Sequence, residues 1–296
     1  MRYIKVLFGL LFLICMSLLP LNASQFFGRC FGNLLWRFKT SRSYSVSKAN
    51  IDCCFPSYSV AAKECLLRSS LRHTAMSYSE MGMSWLWSSK RSLSKVTSVH
   101  GEDILRAAID EGRGVLIIAP HIGNWEILNL YVSQKYDLTV LYKQPKIKFF
   151  DWFIKKMRGR LGGTMAPANA SGVRQLIKKL RANKIVAILP DQEPAIGSGQ
   201  FVPFFSRPAY TMTLLSQLAS KTNCKVITGV AIRQTDANGF AIRFSSVNPN
   251  INSKDLSVSL ATLNFIIEEI ANSNPEQYQW EYKRFKKVAD GDTSLY

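Results

Sequence analysis

A layered α/β fold is predicted for this chain by its length, its composition and the order of its apolar segments. With 296 residues there is room for a substantial core, and 47% hydrophobic against 20% charged residues marks a globular rather than a disordered chain. From residue 102 onward, stretches whose apolar side chains have helical spacing alternate with short runs that are apolar throughout, which is how helices packed on a sheet are written.

The elements follow in order. Residues 50–90 read as helical, above all 60–83, and a basic Ser/Lys/Arg stretch at 88–99 reads as a linker. Glu102, Ile104, Leu105, Ala108 and Ile109 have helical spacing, and Val115, Leu116, Ile117, Ile118 and Ala119 form a buried-strand run. Helices are then expected at 125–134, 149–158, 172–182 and 210–221, alternating with strands at 138–142, 163–165, 185–189 and 226–232. Residues 240–245 are expected to form an edge strand and 256–272 a closing amphipathic helix. Three units result: an N-terminal membrane anchor (1–28), a helical, membrane-proximal segment (29–100) and an α/β core ending in a helix (101–296).

The charge is lopsided. Lys and Arg number 38 against 20 Asp and Glu, a net +18 that calls for an acidic counterpart: nucleic acid, an anionic membrane surface, a phosphorylated or carboxylated substrate, or an acidic protein. Between residues 141 and 190 twelve cationic side chains stand against Asp151 alone. Lys178, Lys179 and Lys184 read as a solvated face, whereas Arg158 and Arg160, beside Gly159, Gly162 and Gly163, are better placed to hold an anion. Six cysteines without a C-x-x-C pair, and three histidines without H-E-x-x-H, make metal chemistry a poor bet, and the glycine patterns of nucleotide-binding loops are missing.

The N-terminus carries a membrane-targeting signal: residues 6–28 are uncharged and 6–19 nearly all apolar, with Arg2 and Lys5 before them and Arg29 after. It reads either as a secretory leader cleaved near Ala23 or as a retained helix that spans or lies along the bilayer. Retention is favoured by Pro20, by the aromatic, amphipathic stretch that follows, and by seven cationic residues before the first acid, Asp52.

Chemistry concentrates where the 115–119 run ends, at Pro120-His121-Ile122-Gly123-Asn124-Trp125-Glu126. Reactive groups in open α/β sheets gather just beyond the carboxyl ends of strands. Five residues along a continuous helix would set His121 and Glu126 about 140° apart, so the two meet only if a turn intervenes. Gly123-Asn124 supplies a turn, with Asn124 capping the next helix. A histidine held by a carboxylate is a general base suited to removing the proton of a hydroxyl nucleophile. The competing possibility is a turn histidine and an ordinary first-turn acid.

Four further pieces stand in order: Leu141-Tyr142-Lys143-Gln144-Pro145; the arginine-glycine segment 158–163; Leu189-Pro190-Asp191-Gln192-Glu193 followed by aromatic 201–205 and Pro208-Ala209-Tyr210-Thr211; and Pro275-Glu276-Gln277-Tyr278-Gln279-Trp280. Together with the His121 segment, and with Asn50-Ile51-Asp52-Cys53-Cys54-Phe55-Pro56, they make the chain resemble the bacterial lipid A biosynthesis (late) acyltransferases, of the lauroyl/myristoyl type, from about Leu18 to the C-terminus. The resemblance implies a layered α/β/α mixed sheet of the glycerolipid-acyltransferase type with an N-terminal membrane-associated helix. It also implies transfer of a fatty acyl chain from acyl carrier protein to a hydroxyl of a lipid A precursor, at the cytoplasmic face of the inner membrane, without cofactor or nucleic acid. His121 would then be the general base and Glu126 its supporting carboxylate. Arg158 and Arg160 would stabilise the oxyanion or hold an acidic group, and Asn124, Asp191 and Lys143 would bind substrate. Two departures stand out: Glu281-Tyr282-Lys283-Arg284 follows Trp280 where the family usually has His-Arg-Arg, and Ser206 stands where Gly is common.

Other readings stay open at this point. A serine hydrolase lacks its G-x-S-x-G elbow. A basic, non-enzymatic membrane-surface or nucleic-acid binding protein would make the His121 segment only a turn. An acyltransferase acting on another membrane phospholipid or glycolipid would share both His121 and Glu126.

Overall fold

The computed structural model describes residues 2–234 and 239–296. The chain begins with helices: α1 (Arg2–Leu18), α2 (Leu21–Arg37), α3 (Arg42–Cys54), the long α4 (Val60–Leu86) and the short α5 (Ser89–Leu93). Pro20 precedes α2, where a missing N–H costs nothing. Ser41, Ser59 and Ser88 cap the next three helices through their hydroxyls. No helix among the described residues is long and apolar enough to cross a membrane; α1 has 17 residues and leaves Leu7, Phe8, Leu11 and Phe12 exposed.

Alternation follows as β1 (Val96–His100), α6 (Glu102–Asp110), β2 (Val115–Ile118), α7 (Trp125–Lys135), β3 (Leu138–Tyr142), α8 (Lys148–Arg158), β4 (Thr164–Pro167), α9 (Ala170–Arg181) and β5 (Ile185–Ile188). Next come a hairpin, β6 (Gly199–Phe204) and β7 (Arg207–Met212), then α10 (Leu214–Thr222), β8 (Lys225–Arg233), β9 (Phe240–Ser246) and α11 (Leu256–Ser273). The main sheet has the order β1-β9-β8-β2-β5-β3-β4, parallel throughout except for the antiparallel β8–β9 pair. It is a mixed sheet in an α/β fold, as expected.

Both faces of the sheet are buried. Along β2 and β5 the period of two divides the apolar side chains: Leu116, Ile118, Val186 and Ile188 join a cluster with α9, α10 and α11, while Val115, Ile117, Ile185 and Ala187 join one with α6 and α7. These inner strands are the segments that are apolar throughout. Each fully buried Ile or Leu contributes about 1.5–3 kcal/mol relative to exposure.

Three expectations are corrected. The stretch at 88–99 is no linker: it holds α5 and most of β1, which pairs only with β9 at the sheet margin, where a short, polar strand is tolerated. Residues 240–245 are accordingly not an edge but lie between β1 and β8. The helix expected from 210 starts at Leu214, because 207–212 pairs with 199–204 in the hairpin. Pro203 and Pro208 face each other there, tolerated in a two-stranded ribbon with free edges.

A buried polar hub ties the N-terminal helices to the sheet. Arg233 at the end of β8 donates from Nε and Nη2 to the two carboxylate oxygens of Glu80 on α4, both residues being almost wholly buried. Gln25 of α2 and Asn124 complete the acceptor shell of Glu80. Nothing in the local sequence pattern announced this pair, since its members are 153 positions apart.

Candidate active site

His121 and Asp191 occupy equivalent places. Each is the third residue beyond adjacent parallel strands, β2 and β5, and each follows a proline: Ala119-Pro120-His121 and Leu189-Pro190-Asp191. The two ends are therefore carried side by side, and one carboxylate grips the histidine twice. Asp191 Oδ2 accepts from the His121 backbone N–H at 2.9 Å, and Oδ1 lies 2.8 Å from Nδ1. Burial pushes the Asp191 carboxyl up, but the His121 charge and the hydrogen bonds from its ring and backbone outweigh it and hold the group below the usual carboxylate range.

Against this buried acceptor Nδ1 is the nitrogen that carries the hydrogen, so in the neutral form of the ring Nε2 is the one left to take a proton. Gln192 Nε2 stands 3.4 Å from Nε2, consistent with that tautomer, and donates also to Gln279 Oε1 at 3.3 Å. The Asp191 side chain keeps 3% of its surface exposed and that of His121 17%, so the imidazole meets solvent while its partner is sealed. The Trp125 ring meets the imidazole edge-on, centroids 5.0 Å apart.

Glu126 does not support His121. Gly123 takes φ +58°, and a Cβ there would stand 2.1 Å from the Ala231 carbonyl oxygen, so the turn requires glycine. Asn124 then caps α7 by accepting from the Ile127 N–H at 3.1 Å. In this setting Glu126 in the first turn points at Arg158, the last residue of α8, whose Nε donates to both carboxylate oxygens at 3.0 Å and whose Nη2 adds a third bond. Burial lowers Arg158, yet the Glu126 charge raises it above the ordinary guanidinium value. The carboxylate on the imidazole is thus Asp191, expected only to bind substrate, in place of the expected Glu126.

Of the remaining expected residues, Asn124 is 5% exposed and fully committed. Beyond the cap, its Nδ2 donates to Glu80 at 3.1 Å and to Ser84 at 3.2 Å, which leaves it no hydrogen bond for a substrate. Arg160 donates from Nε to Ser89 Oγ at 3.2 Å and from Nη1 to the Trp85 carbonyl; its Nη2 is buried with no partner among the described residues. Burial pulls Arg160 below its ordinary value, with the Glu126 charge opposing. Lys143 is exposed in the loop between β3 and α8. A cavity of about 580 Å³ is lined by Gln25, Arg29, Leu66, His73, Met76 and Arg233, among others, and includes none of the expected catalytic residues.

The C-terminal Pro275–Gln277 turn and the residues after it wall the site. Gly123 N–H donates to the Gln277 carbonyl and Gln279 N–H to the His121 carbonyl, with Ile122 and Tyr278 bridged antiparallel. From below, Ser77 Oγ and Arg233 Nη2 both donate to the Gly123 carbonyl at 3.2 Å. Gln279 Nε2 donates to Glu281, and burial raises the Glu281 carboxyl above its usual range.

The sequence model of the bacterial lipid A biosynthesis acyltransferases matches residues 1–287, almost the whole chain, His121 and the walling segment included. The chain belongs to that family. This family member is 27% identical over 298 residues to the lipid A biosynthesis palmitoleoyltransferase of Escherichia coli strain K12, covering 100% of this chain and 95% of that protein. It is 28% identical to a lipid A biosynthesis acyltransferase of Haemophilus influenzae, over 94% of this chain and 89% of the other. It is also 26% identical to the lauroyltransferase of E. coli K12, over 90% and 86%. Like its relatives, this family member is an acyltransferase.

Proposed function

We propose that this acyltransferase moves a fatty acyl chain from acyl carrier protein to a hydroxyl group of a lipid A precursor, working at the cytoplasmic face of the inner membrane. His121, clamped at Nδ1 by buried Asp191 with its ring partly open to solvent, is the observation that carries this reading. The acceptor hydroxyl gives its proton to Nε2 as its oxygen attacks the thioester carbonyl, and Asp191 stabilises the imidazolium that forms. Collapse of the tetrahedral intermediate breaks the C–S bond, and the imidazolium returns the proton to the departing thiolate. Arg160, with one donor unsatisfied, is the group for the oxyanion or an acidic headgroup, while Glu126 fixes Arg158 beside it. The net charge of +18 suits both an acidic carrier protein and a phosphorylated glycolipid.

The test is transfer from acyl-loaded carrier protein to lipid A precursor by the purified chain, together with mass spectrometry of membrane glycolipids from cells with and without it. One additional acyl mass, absent with His121→Ala while that variant stays folded, is the expected result. An unchanged glycolipid profile, or full activity in His121→Ala, overturns the reading.

A further inference from the structure

Helix α8 carries an apolar face that the fold leaves uncovered. Phe149 and Trp152 are each about half exposed, their rings 5.7 Å apart, and Lys156 lays its ammonium 4.9 Å from the Trp152 ring centre. The rotational setting of the helix is fixed from inside. Buried Asp151 accepts from Tyr142 at 2.7 Å, Gln144 at 3.0 Å and Lys155 at 2.9 Å, while Ile154 packs in one cluster with Trp85 of α4 and Leu13 of α1. The outward aromatic pair is therefore not a packing failure, and its neighbour across that cluster is α1, whose own apolar side chains are exposed.

Charge identifies the occupant. Lys155 is neutralised by Asp151 and Arg158 by Glu126, but Lys143, Lys146, Lys148 and Lys156 are exposed with no acid within salt-bridge distance among the described residues. Aromatic rings rimmed by unpaired lysines suit the headgroup and upper acyl region of an anionic bilayer, to which each lysine near the surface adds attraction. We propose that α8 is a second interfacial anchor, lying on an anionic lipid surface alongside α1. Because α8 ends in Arg158, which Glu126 holds, this contact would bring the Glu126–Arg158 pair to the lipid surface.

The proposal rests on the membrane location given under the proposed function, and the experiment separates the two. The full chain is mixed with phosphatidylglycerol vesicles bearing brominated acyl chains, and tryptophan quenching is compared between the wild type and Trp152→Phe, which keeps the apolar anchor but removes the fluorophore. The expected result is co-sedimentation of both proteins, a clear loss of the quenched component in Trp152→Phe, and at least severalfold weaker quenching of Trp152 when the brominated lipid is phosphatidylcholine. A chain that stays in the supernatant overturns the membrane location itself. A chain that sediments with equal quenching in wild type and variant, or with equal quenching of Trp152 in both lipids, overturns the α8 anchor alone.

Discussion

His121 and Glu126 lie five positions apart in sequence, yet each is served by a partner from a different strand or helix, and their substitutions should therefore fail differently. Asp191→Asn can present an amide N–H to Nδ1 and reverse the tautomer; transfer is expected to fall about 10²–10⁴-fold with little change in melting temperature. Glu126→Gln leaves the half-buried Arg158 guanidinium without its counter-ion, so it should cost about 1–2 kcal/mol of stability in denaturant titrations, with the larger effect on folding rather than on turnover per folded molecule. The opposite outcome, a stable but inactive Glu126→Gln and an active Asp191→Asn, would return the supporting role to Glu126. His73 gives a pH signature. Burial, then Arg233, Arg29 and Arg72, push it from 6.5 down to about 3, and Arg233 donates to its Nδ1 at 3.0 Å. The unfolded chain therefore takes up this proton first as the pH falls. The stability held above pH 6.5 is lost toward pH 3, at about 1.4 kcal/mol per pH unit from this group. Chemical denaturation across that window should show a shallower slope in His73→Asn.

Among the elements, the pairing of α2 with α4 depends on how closely two backbones approach. A Cβ at Gly32 would stand 2.4 Å from the Arg72 Cα, so Gly32→Val must push the helices apart. It should lower the thermal midpoint by several degrees, while Gly9→Val, where nothing lies within 4 Å, should leave it unchanged. The elements also show which parts of the fold were legible. Strands β2 and β5 announced themselves because burial on both faces demands an unbroken apolar run. Marginal β1 and the proline-bearing hairpin did not, since neither needs such a run: β1 is buried on few sides, and the hairpin reads as a loop rich in aromatic residues. The His121 turn was legible down to the cap at Asn124, yet its conclusion failed because a cap also rotates the following side chains away. The signal for Asp191 was in the sequence all the same: two apolar strands ending in the same apolar-Pro-polar step, which parallel neighbours bring together. Glu80 and Arg233 had no such signal, because a buried ion pair between remote segments leaves no periodicity.

For the molecule as a whole, the cationic side chains differ in how far the fold engages them. Lys178 is exposed on α9, while Arg160 is partly buried with a donor to spare. Arg160→Ala should therefore reduce transfer by at least tenfold, and Lys178→Ala should leave it within twofold; equal small losses in initial-rate measurements would disperse the proposed anion site over the whole basic face.

Because a single carboxylate seizes both the backbone and the ring of His121, the imidazole has no freedom to swing toward alternative nucleophiles. On the proposed chemistry the choice among hydroxyls must then be made by how the glycolipid is seated, not by the base. Relatives named for different fatty chains are then free to vary away from this clamp, which fixes the base and not the chain.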